Sequence, residues 1–152
     1  VLASCVNLKG ACHGIGFGEH RRWVELPQSG PPPARYYIPQ LHKYISQEQA
    51  HIMYQEDPEL SGCDCPECQG KTPIELEYHN LMKHSVWCRS REIDSWVGKS
   101  CSSMIQDLEQ EKREFKDRIE KTNLSFRRKS EFSSYSDNLD LWQDALGFSE
   151  ES

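Results

Sequence analysis

Cys63, Cys65 and Cys68 place three thiols within the six-residue run Cys63-Asp64-Cys65-Pro66-Glu67-Cys68, and His84 follows sixteen residues after the last of them. Three thiolates and an imidazole suit a soft divalent ion, above all zinc, in a tetrahedral site. With four protein donors such a site is closed and structural, leaving no open position to activate water. A disulfide framework accounts for these thiols less well. Seven cysteines is an odd count in 152 residues, and extracellular frameworks are usually even and short. Cys63 and Cys65 are also too close in sequence to pair within regular backbone. Two histidines compete for the fourth place, His79 and His84. On one helix they point about 140° apart, so only one faces the knuckle. Periodicity does not choose between them.

Composition bounds the rest. The chain is 36% hydrophobic and 28% charged, with a formal net charge of −6, and its mean hydropathy is low. No global basic field argues for nucleic acid, and the local basic runs, Arg21-Arg22 and Arg127-Arg128-Lys129, are short. No apolar run reaches the length of a membrane-spanning helix. Reduced thiols holding metal point to the cytoplasm. The chain begins at Val1, which reads as a processed or incomplete product.

The elements that must position the knuckle are legible in outline. Residues 1–27 carry short apolar runs around Gly10, Gly14, Gly16 and Gly18, read as strand and turn. Gly14 to Gly18 lacks the Lys-Ser/Thr of a phosphate loop, so a glycine turn is the simpler reading. Residues 28–57 are linker and helix: Pro31-Pro32-Pro33, an extended Ala34–Leu41, then a helix capped by the Ser46-x-x-Gln49 box and ended by Asp57-Pro58. Residues 58–98 hold the knuckle and a helix over about 74–97, opened by Thr72-Pro73 and stopped at Gly98. A further helix covers 99–122, where Ile105, Leu108, Phe115 and Ile119 recur among alternating charges. Residues 123–152, rich in Ser, Asp and Glu, are expected to be largely disordered. Their exception is a short helix around Leu139–Leu146, closed by Gly147. Cys5, Cys12, Cys88 and Cys101 read as buried or idle thiols. His20, His42 and His51 read as surface residues.

The run from Cys63 to Cys68, continued by Thr72-Pro73-Ile74-Glu75-Leu76, resembles the zinc site of the tRNA-guanine transglycosylases, especially the archaeal type. The family pattern reads Cys-x-Cys-Pro-x-Cys and then Thr-Pro-x-Glu-Leu. Its fourth ligand opens a helix whose histidine stands eight residues before Glu-Ile. His84 stands in that register before Glu92-Ile93, and His79 does not. The resemblance therefore implies Cys63, Cys65, Cys68 and His84 as ligands of Zn2+. The stretch between Cys68 and His84 is shorter by a turn than the family's.

The match covers residues 60–97 well. It implies a TIM-type barrel with the zinc subdomain near its C-terminal end, and the exchange of guanine for a 7-deazaguanine base (queuine or archaeosine type) in tRNA, or in DNA for some relatives. An aspartate attacks the sugar carbon there, and a second serves in acid-base steps. This chain departs at those points. A barrel takes about 250 residues, whereas Cys63 is preceded by 62, among which the first aspartate is Asp57. The family's nucleophile aligns with Ala3-Ser4, and alanine cannot attack a sugar. The fold expected is thus α+β: a mostly α-helical C-terminal fragment of a barrel-type enzyme, with a small β element and a zinc knuckle. The partners expected are tRNA or DNA, a second copy, or a barrel-bearing chain. An assembly module without chemistry is the alternative.

Overall fold

A computed structural model describes residues 35–150. The expectations placed on residues 1–34, including Cys5, Cys12, His20 and the glycine cluster, lie outside the described residues.

Arg35–Ile38 (β1) and Lys43–Ser46 (β2) form an antiparallel hairpin, with Tyr36 opposite Ile45 and Tyr37 opposite Tyr44. Both faces of β1 are covered: Tyr36, Tyr37 and Ile38 are all buried. Ser46 ends β2 and caps the helix Gln47–Glu56 (α1), its hydroxyl accepting from the Gln49 amide at 3.2 Å. That bond satisfies one of the free donors of the first turn, as the capping box anticipates. Asp57 then caps a short 3-10 turn at Pro58–Leu60, and the knuckle follows.

The long helix begins later than expected. Pro73–Glu75 makes only a 3-10 turn, and the helix (α2) spans Tyr78–Trp96. The reason lies in Gln47, whose side-chain amide donates to the carbonyls of Pro73 at 2.8 Å and Leu76 at 2.6 Å. In a continuous helix those carbonyls would take backbone donors four residues on. Gly98, at φ 80°, ends the segment in the left-handed conformation that glycine adopts freely. Cys101–Lys121 (α3) follows, its Ser100 cap accepting from the Ser103 amide.

The tail is not disordered. Phe126–Ser133 (α4) and Asn138–Glu150 (α5) are helices, and α5 runs through Gly147. Phe132, Leu139 and Leu146 are fully buried in one core with Met104, Leu108, Phe115 and Ile119 of α3. Three apolar residues spaced by seven suffice for a seam against that stripe. The acidic residues that suggested disorder are partly neutralised across the seam, where Lys112 pairs with Asp140 and Lys116 approaches Asp137 at 4.0 Å. The chain is mostly helical with one two-stranded sheet among the described residues. No helix among them is long and apolar enough to cross a membrane.

Candidate metal centre

The knuckle is built by local constraints before any ion is considered. Ser61 donates to the Ala50 carbonyl at 2.7 Å, tying the loop to α1. Gly62 packs so tightly that a Cβ there would stand 2.3 Å from the Pro58 carbonyl oxygen. Gly62→Ala must therefore displace backbone immediately before Cys63. It is expected to cost about 2 kcal/mol, within the range for overpacking, and to weaken metal binding, both measurable by denaturant titration with and without chelator. Past the thiols, the Cys68 amide donates to the Cys65 carbonyl and the Lys71 amide to that of Cys68, each at 3.0 Å. Gly70 supplies the positive φ, 71°, that turns the chain out.

This loop and α2 bring Cys63, Cys65, Cys68 and His84 together. One donor atom from each lies within 4.8 Å of every other, close enough to hold a metal ion. The His84 Nδ1 stands 3.4 Å from the Cys65 Sγ and 3.3 Å from the Cys68 Sγ. Donors on a zinc ion at about 2.0–2.3 Å are separated by roughly 3.5–3.8 Å in a tetrahedron, so these spacings fit. Cys65 and His84 are completely buried, Cys68 nearly so, and Cys63 half-buried. His79 is exposed, its ring against Tyr78. Of the two candidate histidines, only His84 reaches the thiols.

The imidazole is held on both sides. Its Nε2 lies 2.8 Å from the Tyr37 carbonyl oxygen. A carbonyl has no proton to give, so Nε2 donates and Nδ1 is left as the lone-pair atom facing the sulfurs. A backbone acceptor that sets a ligand's tautomer is the usual outer support of a metal-binding histidine. The Tyr36 ring stacks on the imidazole, with centroids 4.3 Å apart, and its hydroxyl reaches the Cys68 Sγ at 3.7 Å. Burial holds the Tyr36 phenol well above its ordinary range, so this hydroxyl keeps its proton and can offer it to sulfur.

Electrostatics argue for a cation. Cys63 is held down by the hydrogen bonds of Cys68 and Cys88, whereas Cys68 is pushed up by its bond to Cys63 and by burial. Packed thiols can lose one proton, but a second charge so close is strongly disfavoured. A divalent ion removes that conflict by compensating several thiolates together, which couples binding to folding. The residues present therefore fit zinc: three soft sulfurs and one oriented imidazole nitrogen, with Cys65, Cys68 and His84 buried and Cys63 at the edge.

Several participants were not legible as such in the sequence. Cys88, read as a buried or idle thiol, is indeed buried, but it lies one turn beyond His84 against the site, with its Sγ 3.5 Å from the Cys63 Sγ and 3.6 Å from the His84 Nδ1. The spacing His84-x-x-x-Cys88, which puts both on one helix face, was the available signal. Tyr36 and Tyr37 are read from the sequence only as part of the extended Ala34–Leu41. His42, expected at the surface, is buried. Its Nδ1 lies 3.0 Å from Glu92 of α2, and its Nε2 donates to Glu111 of α3 at 3.0 Å. Glu92 also accepts from the Tyr37 hydroxyl, so a polar chain runs from the metal-side strand into the helical layer. His51 is half-buried.

Arginines near the site and on the later helices stack on aromatic rings of their own chain. Arg89 lies over Tyr37, Arg91 over Trp87 near Asp64, and Arg128 over Phe132.

No family model matches the chain, and neither a curated protein nor a solved structure matches it.

Proposed function

We propose that this chain is the zinc-stapled portion of a tRNA-guanine transglycosylase-like protein, a scaffold and assembly element in which zinc is structural. The observation that supports this reading is the convergence of Cys63, Cys65, Cys68 and His84, with His84 in the register before Glu92-Ile93 on which the resemblance rests. Zinc would be held by three thiolates and the Nδ1 of His84, and it would supply cohesion between the loop and α2. The chain's own residues do the rest. Tyr37 orients the imidazole, Tyr36 covers it, and Glu92 of the same motif anchors α2 to the hairpin through Tyr37 and His42. Base exchange requires an aspartate nucleophile that the aligned position, Ala3, cannot provide. Catalysis would therefore come from a barrel-bearing segment, upstream in the same protein or on a separate partner chain, acting on tRNA or DNA in the cytoplasm.

The test is elemental analysis together with a base-exchange assay. The purified chain should carry one equivalent of zinc and incorporate no labelled guanine into tRNA by itself. Incorporation that depends on this chain should appear only when a barrel-bearing chain is supplied. Exchange by the chain alone, or a purified folded chain without zinc, would overturn the reading. Homodimerisation or direct tRNA capture is the second form of the same assembly role, and filter binding across a salt series separates it from partner pairing.

A further inference from the structure

We infer that Cys63 and Cys88 form a peroxide-sensitive pair, in which a disulfide between them releases the metal. This inference rests on the zinc reading above and adds to it. The cluster contains five soft donors where a tetrahedral ion takes four. The four donors that stand within 4.8 Å of one another exclude Cys88, yet its Sγ is 3.5 Å from the Cys63 Sγ. Cys88 thus lies against the edge of the site formed by Cys63 and His84, outside the ligand set.

Three further features set the roles. Of the four thiols at the site, Cys63 alone is half-buried, the other three being buried. An open groove of about 750 Å³, lined by Tyr36, Cys63, Cys68, Trp87, Cys88 and Arg91, gives a small oxidant access. Cys63 also sits in a loop, whereas Cys88 is fixed on α2, so the loop sulfur can close the remaining distance to a bond of about 2 Å. Other pairings are worse. Cys65 is two residues from Cys63, and Cys68 would remove a second ligand while it is engaged by Tyr36.

The chemistry balances with a hydroperoxide as oxidant. The Cys63 thiolate attacks the peroxide oxygen, the O–O bond breaks, and sulfenic acid and water form after uptake of one proton. The Cys88 thiol then attacks the Cys63 sulfur. Water leaves, the S–S bond forms, and two electrons have passed from sulfur to the peroxide. Two thiolates and an imidazole remain, too few to hold the ion closed. A thiol reductant restores the site.

The test uses the full zinc-loaded chain treated with hydrogen peroxide, with zinc release followed by a chromogenic chelator and linkages mapped by non-reducing peptide mass spectrometry. The expected result is a Cys63–Cys88 peptide formed in step with one zinc released, and full rebinding after reduction. Cys88→Ser should bind zinc stoichiometrically before oxidation. After peroxide it should show Cys63 sulfinic acid, no internal disulfide, and at least a five-fold loss of reductant-reversible zinc binding. Linkage of Cys63 to Cys65 or Cys68, no internal linkage in the zinc-loaded wild type, or a zinc-deficient Cys88→Ser protein would each overturn the pair. Absence of zinc from the untreated wild type would instead remove the metal reading beneath it.

Discussion

Cys65→Ser is expected to abolish stoichiometric metal binding and to unfold the region from residue 58 to 97, as is chelation of the wild-type protein. Structural zinc sites contribute on the order of 10 kcal/mol in isolated modules, comparable with the 5–15 kcal/mol that stabilises a typical domain. Cys65 is completely buried in the core that also contains Leu60, Leu76 and Leu81, and the ion pairs that also join the loop to α2, Lys83 with Glu67 and Arg91 with Asp64, are largely exposed and so contribute little. The substitution also leaves two thiols and His84 around a buried hydroxyl. Circular dichroism at 222 nm, read before and after chelation, should show the same helix loss in the chelated wild type as in Cys65→Ser. Cys88→Ser should keep both its metal and its helix. An equal effect of the two serine variants would refute the ligand assignment.

His42→Ala should cost about 3–5 kcal/mol, the range for breaking a buried ion pair by removing one partner. Glu92 is left in the interior with the Tyr37 hydroxyl and the charge of Arg89, and Glu111 loses its contact with the ring. The left-handed backbone of His42, φ 48°, is held by Asn138, whose side chain donates to the carbonyls of Leu41 at 3.1 Å and His42 at 3.3 Å. The groups around the imidazole are the two carboxylates and the rings of Trp96 and Trp142. Burial works against the charged ring, but Glu111 and Glu92 outweigh it and raise its pKa to about 9.

A raised histidine pKa favours the folded state most where both folded and unfolded forms are protonated. That contribution, about 3 kcal/mol by linkage, is complete below about pH 6.5 and disappears as the pH rises through about 9. At the acid end Glu92 acts in the opposite sense. Burial opposes its charge, but His42 and Tyr37 hold its pKa below the ordinary carboxylate value, so its share is lost as the pH falls through that depressed range. Urea unfolding of the zinc-loaded protein should therefore show a midpoint that declines between pH 6.5 and 9. The difference between wild type and His42→Ala should shrink over the same interval. Parallel profiles for the two proteins would show that His42 carries no charge in the fold.

The sequence by itself determined what depends on neighbours along the chain. Three thiols in six residues need only a turn to converge. The Ser46 cap, the Asp57-Pro58 stop, Gly98 and the stripe of α3 are properties of a few adjacent residues, and each is found where the spacing puts it. Even the choice of His84 over His79 was available, though only through a motif register and not through helical periodicity.

The tertiary structure decided whatever depends on residues remote in sequence. Composition reads residues 123–152 as largely disordered outside a short helix around Leu139–Leu146, because their acidic residues are counted without Lys112 and Lys116, and Phe132, Leu139 and Leu146 without α3. His42 read as a surface residue because its partners stand 50 and 69 positions away, on two different helices. The outer support of the metal centre, Tyr36 and Tyr37, comes from a strand more than 40 residues before His84. Burial and charge compensation are pairwise energies between surfaces that meet only after folding, so one partner's position in sequence carries no sign of the other.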